Sequence, residues 1–538
     1  MLDSKPMRTI PLRLWTLTIL SSLLQVLPFP ISGPVPSWRR VFCWFCLVPL
    51  LMALLGKDTH GNRLRPAQTA LLGYICGFFW YMGNCYWVYR TMHLYGGIPS
   101  AAAFGILVLF SLYVGLYHGL FGWLVGLLHR KFSPQTVLWI VPFVWVGVEL
   151  ARARITGFPW DLLGYTQVDN LTVTRLAPWT GVFGLSFVIV LVNILWVSRV
   201  FPRQGKNSYA GPIFAAVLTI VTTLVAGHRS PSASSEATAR AVLLQENLGI
   251  GAEAPATPET EPQMLASFTD LSLHPQFTPG IHGGAANSSP KPDMIVWPEA
   301  PTAFRDGDPY FLQAMGEVAR RSGTSVIVND ISLAPRDSDG LGHVYNSSTF
   351  FAADGSRAGR YDKMHLVPFG EYTPYKPLFF FVGHLLDDLL FVPGLQRSLF
   401  DTGGKKYGVF ICYESIFGDD IRRFVGDGSQ VLVNISDDGW YGDTSAPWEH
   451  LDMVRMRAIE NNRWVLRATN TGLTGAIDPY GRITASMPRH IRGSIEVAFG
   501  YREGLTFYTR HGDWLAWICA LVSAAMLAMS FMGRRAVN

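Results

Sequence analysis

The sequence predicts a polytopic α-helical membrane bundle of about eight spans joined to an α/β layered domain. Three observations predict it. Only 15% of residues are charged and mean hydropathy is +0.22, where a soluble globular chain carries about a quarter charged residues. The apolar excess is concentrated in residues 12–227 and returns at 514–531. Between these blocks, β-rich runs alternate with helical patterns, as in an ordinary layered domain. The boundaries this implies are a bundle of about seven spans over 1–227, a globular domain over 228–510, and a final span with a short tail over 511–538.

The apolar blocks resolve into runs near Leu14–Leu27, Val41–Leu55, Ala70–Val88, Ala101–Leu128, Val137–Val148, Val182–Val197, Ile213–Ala226 and Leu515–Phe531. A membrane-spanning helix needs about 20 apolar residues. Several runs reach that only with their flanks, and taken singly the shortest also suit buried core helices. Eight in one chain, several containing Trp, Gly and Pro, point to a bundle. The first run has a basic start, but "LPFPISGPVPSW" offers no small-x-small cleavage site, so it reads as a retained span. Counting spans alternately groups Lys5, Arg8, Arg13, Lys57, Arg63, Arg65, Arg130, Lys131, Arg199, Arg203, Lys206, Arg534 and Arg535 on one side, which should be the cytoplasm. Arg39 and Arg40 fit this count poorly. Both termini are then cytoplasmic and the globular domain faces outward, into the periplasm of a bacterium. The net charge of +5 is dispersed. It forms no basic stripe, so no nucleic-acid partner is expected.

After a polar linker, "HRSPSASSEATAR", the domain opens on the strand "AVLLQ". Further strands are read at "DMIVWPE", "TSVIVND", "YNSSTFFAA", "YGVFICYE", "QVLVNIS", "WVLRATN" and "SIEVAF", all rich in Val, Ile, Phe or Tyr. "DPYFLQAMGEVARRSG" reads as a helix stopped at Gly323. "PWEHLDMVRMRAIENN" places Leu451, Val454 and Ala458 at helical spacing. Residues 250–291 should hold a helix and a loop.

Of six cysteines, only Cys412 lies in this domain, so it has no partner there for a disulfide. It is either a buried inert thiol or a working one. Cys412 ends the strand of "GVFICYES" before a turn, a place that exposes a nucleophile near backbone N–H groups. Glu299 follows the strand of "IVWPEA", and Lys363 follows another in "GRYDKMHLVPFGEYTP". Singly, each suits a solvated loop residue or, for the cysteine, a small core side chain. Three in this order, each ending an apolar strand, shift the balance toward a site.

These pieces resemble the nitrilase (carbon–nitrogen hydrolase) superfamily, and within it the apolipoprotein N-acyltransferases. The resemblance rests on "WPEA", "YDKMHLVPFGEYTP", "ICYESIFGD", "NISDDGWYGDTSAPWEHLDMVRMRAIENNRWVLRATNTG" and, in the apolar part, "GFPWDLLGYTQ". It implies an αββα sandwich and a catalytic triad of Glu299, Lys363 and Cys412. Glu371 corresponds to a supporting second glutamate. Tyr413, Glu414 and Trp440 would shape the substrate pocket, a packed wall being an equal reading for Trp440. Trp160 would lie at the membrane interface and meet substrate. One departure stands out: the loop "LLQENLGIGAEAPATPET" carries no aromatic where the family usually has a Trp.

The chemistry suits the residue types. A thiol is mostly protonated at neutral pH, and a carboxylate that takes its proton makes it a strong nucleophile. Lys363 would stabilise the oxyanion. The resemblance implies acyl transfer from a phospholipid donor in the lipid bilayer, through a Cys412 thioester, to the α-amine of a diacylglyceryl-cysteine apolipoprotein, by a monomer of the inner membrane. No cofactor and no metal is implied. His365 and His450 have no ligand spacing and are expected to be structural. A membrane-tethered amidase using water, or a transporter or scaffold with a nitrilase-like domain, are the rival readings. "PLFFFVGHLLDDLLFVPG", Pro377–Gly394, suits either an arm resting on the outer leaflet or a buried helix.

Overall fold

The computed structural model describes residues 9–200, 237–250, 259–276, 291–299, 304–334, 343–372 and 391–532. The chain divides into two compact units: 1–229 with 443–449 and 511–538, and 230–442 with 450–510. The segment Pro377–Gly394 falls outside the described residues except for 391–394.

In the first unit, five helical stretches among the described residues are long and apolar enough to cross a membrane: Ser37–Leu54, Ser100–Lys131, Pro134–Thr156, Val173–Arg199 and Trp514–Met532. The expected count of about eight is therefore five here. The run at Leu14–Leu27 forms the 15-residue helix Leu12–Val26. At 1.5 Å per residue it is about 22 Å long, short of a hydrocarbon core of about 30 Å. The run at Ala70–Val88 becomes the 19-residue helix Pro66–Asn84, which is not among the five. Ile213–Ala226 lies outside the described residues.

Helices Pro66–Asn84 and Ser100–Lys131 meet through small residues. A Cβ on Gly73 would stand 2.3 Å from the His118 carbonyl oxygen, and one on Gly122 would stand 2.3 Å from that of Thr69. Gly73/Gly77, Gly115/Gly119 and Gly122/Gly126 each recur at four residues, the spacing that lets membrane helices approach backbone to backbone.

The second unit is built on two six-stranded sheets. The strands are β1 (Ala239–Gln245), β2 (Met294–Val296), β3 (Ser325–Leu333), β4 (Val344–Phe351), β5 (Arg357–Asp362), β6 (Leu399–Thr402), β7 (Lys405–Ile411), β8 (Val431–Ser436), β9 (Val465–Thr469), β10 (Gly475–Ile477), β11 (Ile483–Ser486) and β12 (Gly493–Phe499). Their orders are β12-β1-β2-β3-β4-β5 and β11-β10-β9-β8-β7-β6. Each sheet has parallel pairs at its centre, β1-β2-β3 and β7-β8-β9, flanked by antiparallel neighbours.

Side chains alternate across a strand, and here both faces are covered. Ala241, Leu243, Val296 and Ile327 of the first sheet join Val409, Ile411 and Val433 of the second in one buried core. Val242, Leu244, Ile295 and Val326 face the other way, against Leu265 and Phe268 of helix Glu261–Leu273 and Phe311 and Met315 of helix Pro309–Ser322. Leu451, Val454 and Ala458, the helical-spacing residues of Ala446–Asn461, join the inter-sheet cluster. The result is an α/β sandwich of the expected nitrilase-like kind. Burial on both faces is why these strands read as nearly unbroken apolar runs.

Helix Pro309–Ser322 starts where Asp308 accepts from the Tyr310 amide at 3.0 Å and stops at Gly323 with φ +55°, a left-handed cap that glycine adopts without strain. Four strands escape the sequence reading. β5, β6 and β11 are sheet edges, and β5 and β11 are half-exposed and polar. β10 is three residues long.

Candidate active site

The three expected catalytic residues, and with them Asp437, sit at the carboxyl ends of strands. Glu299 follows β2 after Pro298, Lys363 follows β5 directly, Cys412 follows β7 directly and Asp437 follows β8. Ligands of open α/β sheets collect at such ends because strand-terminal loops converge there.

Glu299, Lys363 and Glu371 are brought together. Lys363 Nζ lies 2.9 Å from Glu371 Oε1 and 3.3 Å from Glu299 Oε1. The Asn346 side-chain amide on β4 donates to the same two oxygens, at 2.8 Å to Glu299 and 2.9 Å to Glu371. Its own oxygen accepts from Asn329 on β3 at 2.8 Å. The remaining carboxylate oxygens are held by backbone: Val367 N–H donates to Glu371 Oε2 at 2.7 Å and Asp437 N–H to Glu299 Oε2 at 3.0 Å. Burial works against the Lys363 ammonium, but the charges of Glu299 and Glu371 outweigh it and raise its pKa well above the usual lysine value. Two carboxylates around one ammonium leave the cluster one negative charge in excess.

Cys412 is buried and has φ +49°. A non-glycine residue in this left-handed region is strained and persists only where its surroundings over-determine it. Burial, then the Glu299 charge, push the thiol pKa up, with Lys363 pulling the other way. The thiol thus rests protonated within electrostatic reach of a carboxylate and a fixed cation.

Cys412 opens a short 3₁₀ turn, Cys412–Ile416, ahead of helix Gly418–Gly426. Glu414 in that turn is buried and spends both oxygens inside the protein. Oε1 accepts from Tyr361 Oη at 2.7 Å, Met364 N–H at 2.7 Å and His365 N–H at 3.2 Å. Oε2 accepts from Ile411 N–H at 2.7 Å. Burial raises its pKa, and the Ile411 amide and Tyr361 hydroxyl draw it back. Glu414 therefore ties the nucleophile turn to the Lys363 loop.

Tyr413 is buried, edge-on to Phe417. Trp440 is 46% exposed on the turn Asp438–Tyr441 that follows Asp437. Trp160 is fully buried in the first unit, stacked on Phe158, and donates from Nε1 to Glu449 Oε2 at 2.7 Å.

The sequence reading missed Asn346, Asp437 and a wholly buried group beneath Cys412. In that group Asp438 lies between Arg467 and His450, and His450 Nε2 donates to the Cys412 carbonyl oxygen at 3.0 Å. A usable signal was present: Asp438, His450 and Arg467 each stand beside or within a run read as a core strand or helix, in "VNISDDGW", "PWEHLDMV" and "WVLRATN".

The class follows from comparison with known proteins. Residues 262–499 match the model of the carbon–nitrogen hydrolase family, so the second unit is a carbon–nitrogen hydrolase domain, here in one chain with apolar helices. Residues 21–195 match the apolipoprotein N-acyltransferase N-terminal domain. An apolipoprotein N-acyltransferase of Geobacter metallireducens is 33% identical over 532 residues, spanning 97% of this chain and 96% of that one. One from Methylococcus capsulatus is 32% identical, spanning 88% and 90%, and one from Pseudomonas aeruginosa 31%, spanning 92% and 93%. The chain belongs to the apolipoprotein N-acyltransferase family.

Proposed function

We propose that the protein transfers a fatty acyl chain from a membrane phospholipid, through a thioester on Cys412, to the α-amine of the diacylglyceryl-cysteine that begins an apolipoprotein. The observation that carries this reading is the shared Glu299–Lys363–Glu371 cluster within electrostatic reach of a strained cysteine, in a chain matching the family along nearly its whole length.

Glu299 takes the thiol proton as sulfur attacks the ester carbonyl. Lys363 and backbone N–H groups of the nucleophile turn receive the developing oxyanion. Collapse breaks the ester C–O bond, and Glu299 returns the proton to the departing lysophospholipid oxygen. In the second half the amine attacks the thioester carbonyl, the C–S bond breaks, and Glu299 carries the amine proton to sulfur. Glu371 explains the excess negative charge: while Glu299 holds the proton, Glu371 still pairs Lys363, so the buried cation is never left alone. Glu414 acts as a positioning residue, while Tyr413 and Trp440 serve the substrate side. The protein acts as a monomer in the bacterial inner membrane, with 228–510 in the periplasm and both termini in the cytoplasm.

Intact-protein mass spectrometry tests this. Incubation with phospholipid should add one acyl mass to the wild type and none to Cys412→Ala. A synthetic diacylglyceryl-cysteinyl peptide should then remove that mass and emerge N-acylated. Release of free fatty acid with an unmodified peptide would overturn the reading in favour of a hydrolase.

A further inference from the structure

His450 stands 38 residues beyond Cys412 in the chain, yet its imidazole meets the nucleophile's own backbone. Nε2 lies 3.0 Å from the Cys412 carbonyl oxygen. A carbonyl only accepts, so Nε2 donates. Nδ1 lies 2.8 Å from Asp438 Oδ1, and that carboxylate also only accepts. Arg467 Nη2 is further from Nδ1, at 3.3 Å, and is itself bound to Asp438 Oδ2 at 2.6 Å. Ser436 Oγ donates to Asp438 Oδ1 at 2.9 Å. Both ring nitrogens of His450 are therefore engaged, Nε2 on the Cys412 carbonyl and Nδ1 on Asp438, with Asp438 between His450 and Arg467. All three side chains are fully buried.

Nε2 is spent on the carbonyl, so His450 is not a base for the thiol. What it controls is the peptide between Cys412 and Tyr413. A trans peptide is planar and its N–H points opposite its C=O. Anchoring the Cys412 oxygen on His450 fixes the Tyr413 N–H in the opposite direction. A donor on the oxygen also polarises the peptide and strengthens that N–H. The same anchor supplies part of the over-determination that a left-handed cysteine requires.

We propose that His450, oriented by Asp438 and Arg467, is a positioning residue that sets the Cys412–Tyr413 peptide as an oxyanion-binding group for both half-reactions. The proposal rests on the acyl-thioester reading given above.

Single-turnover mass spectrometry on the full-length protein tests it, with phospholipid as donor and iodoacetamide as a second probe of Cys412. Alkylation displaces iodide at carbon and builds no oxyanion. His450→Ala should slow thioester formation and thioester breakdown by about 10- to 100-fold, less than the 10²–10³ for outright loss of an oxyanion donor. The KM for phospholipid and the alkylation rate should be unchanged. His450→Gln, which keeps an N–H directed at the carbonyl, should recover part of both rates. If His450→Ala does not fold, His450→Gln carries the test, with acylation slowed and alkylation intact. Acylation at the wild-type rate in a folded variant would overturn the proposal, and so would alkylation falling as far as acylation. A wild type that forms no thioester would overturn the acyl-transfer reading, and this proposal with it. A thioester that forms equally fast in wild type and variant overturns only the role of His450.

Discussion

Lys363 lies fully buried between two carboxylates, and its charge is aimed at one moment of the reaction. Oxyanion charge develops during thioester formation, so Lys363→Ala should slow that step by about 10²–10³, read as acyl mass gained per unit time. Glu299→Gln keeps the shape but loses the base, and should fail at the same step. Normal acylation with a stall only at transfer would confine Glu299 to the second half-reaction. Asp438 carries a pH prediction. Burial alone would raise its carboxyl pKa, but Arg467 and His450 hold it well below the usual carboxylate range. A carboxyl depressed in the folded state stabilises above its unfolded value of about 3.9, and that contribution is lost as pH falls toward the folded value. Asp438→Asn should cost about 3–5 kcal/mol near neutrality, because it strands a buried Arg467. The gap to wild type should narrow below about pH 4. Thermal unfolding of the solubilised protein at the two pH values measures this, and a constant gap would count against the ionised Asp438.

Two pieces of local structure carry predictions of their own. The turn Cys412–Ile416 is tied to the Lys363 loop by one side chain, Glu414, whose four contacts all donate to it. Glu414→Gln turns one acceptor into a donor facing another donor. It should lose about 1–3 kcal/mol of stability and slow acylation while leaving Cys412 in place. Unfolding temperature and single-turnover rate should fall together. In the first unit, the helix pair Pro66–Asn84 and Ser100–Lys131 depends on hydrogen in place of side chains. Gly122→Leu would drive atoms into the Thr69 backbone and should cost at least the about 1–3 kcal/mol of ordinary overpacking. A wild-type unfolding temperature for that variant would mean the helices are not held as close as this.

For the whole molecule, the distribution of Lys and Arg predicts topology. Arg534 and Arg535 follow the last apolar helix and should hold the C-terminus in the cytoplasm. A green fluorescent reporter fused there should fluoresce, and an alkaline phosphatase fused at the same point should stay inactive. The opposite pattern would reverse the proposed orientation. Residues 443–449 group with the first unit although they lie inside the span expected for the globular domain. That departs from a division into consecutive blocks.

The sequence alone determined the two kinds of architecture and the order of the reacting residues. Burying a strand on both faces requires apolar residues at successive positions, so β1, β3, β7, β8 and β9 were legible as written. Glu299 and Cys412 were visible as polar or reactive residues ending such runs, whereas Lys363 follows the polar edge strand β5 and was legible from the motif around it. Edge strands β5, β6 and β11 lack a second buried partner and left no such pattern. Tertiary structure alone decided which groups share a proton or an oxygen. Asn346 reaching both Glu299 and Glu371, Asp437 lending its N–H, and His450 arriving under the Cys412 carbonyl depend on how strands lie side by side in two sheets. Burial is a property each short segment writes into its own composition. A hydrogen bond between side chains far apart in the chain has no period and no composition, and exists only once the sheets have brought its partners within 3 Å or so of each other.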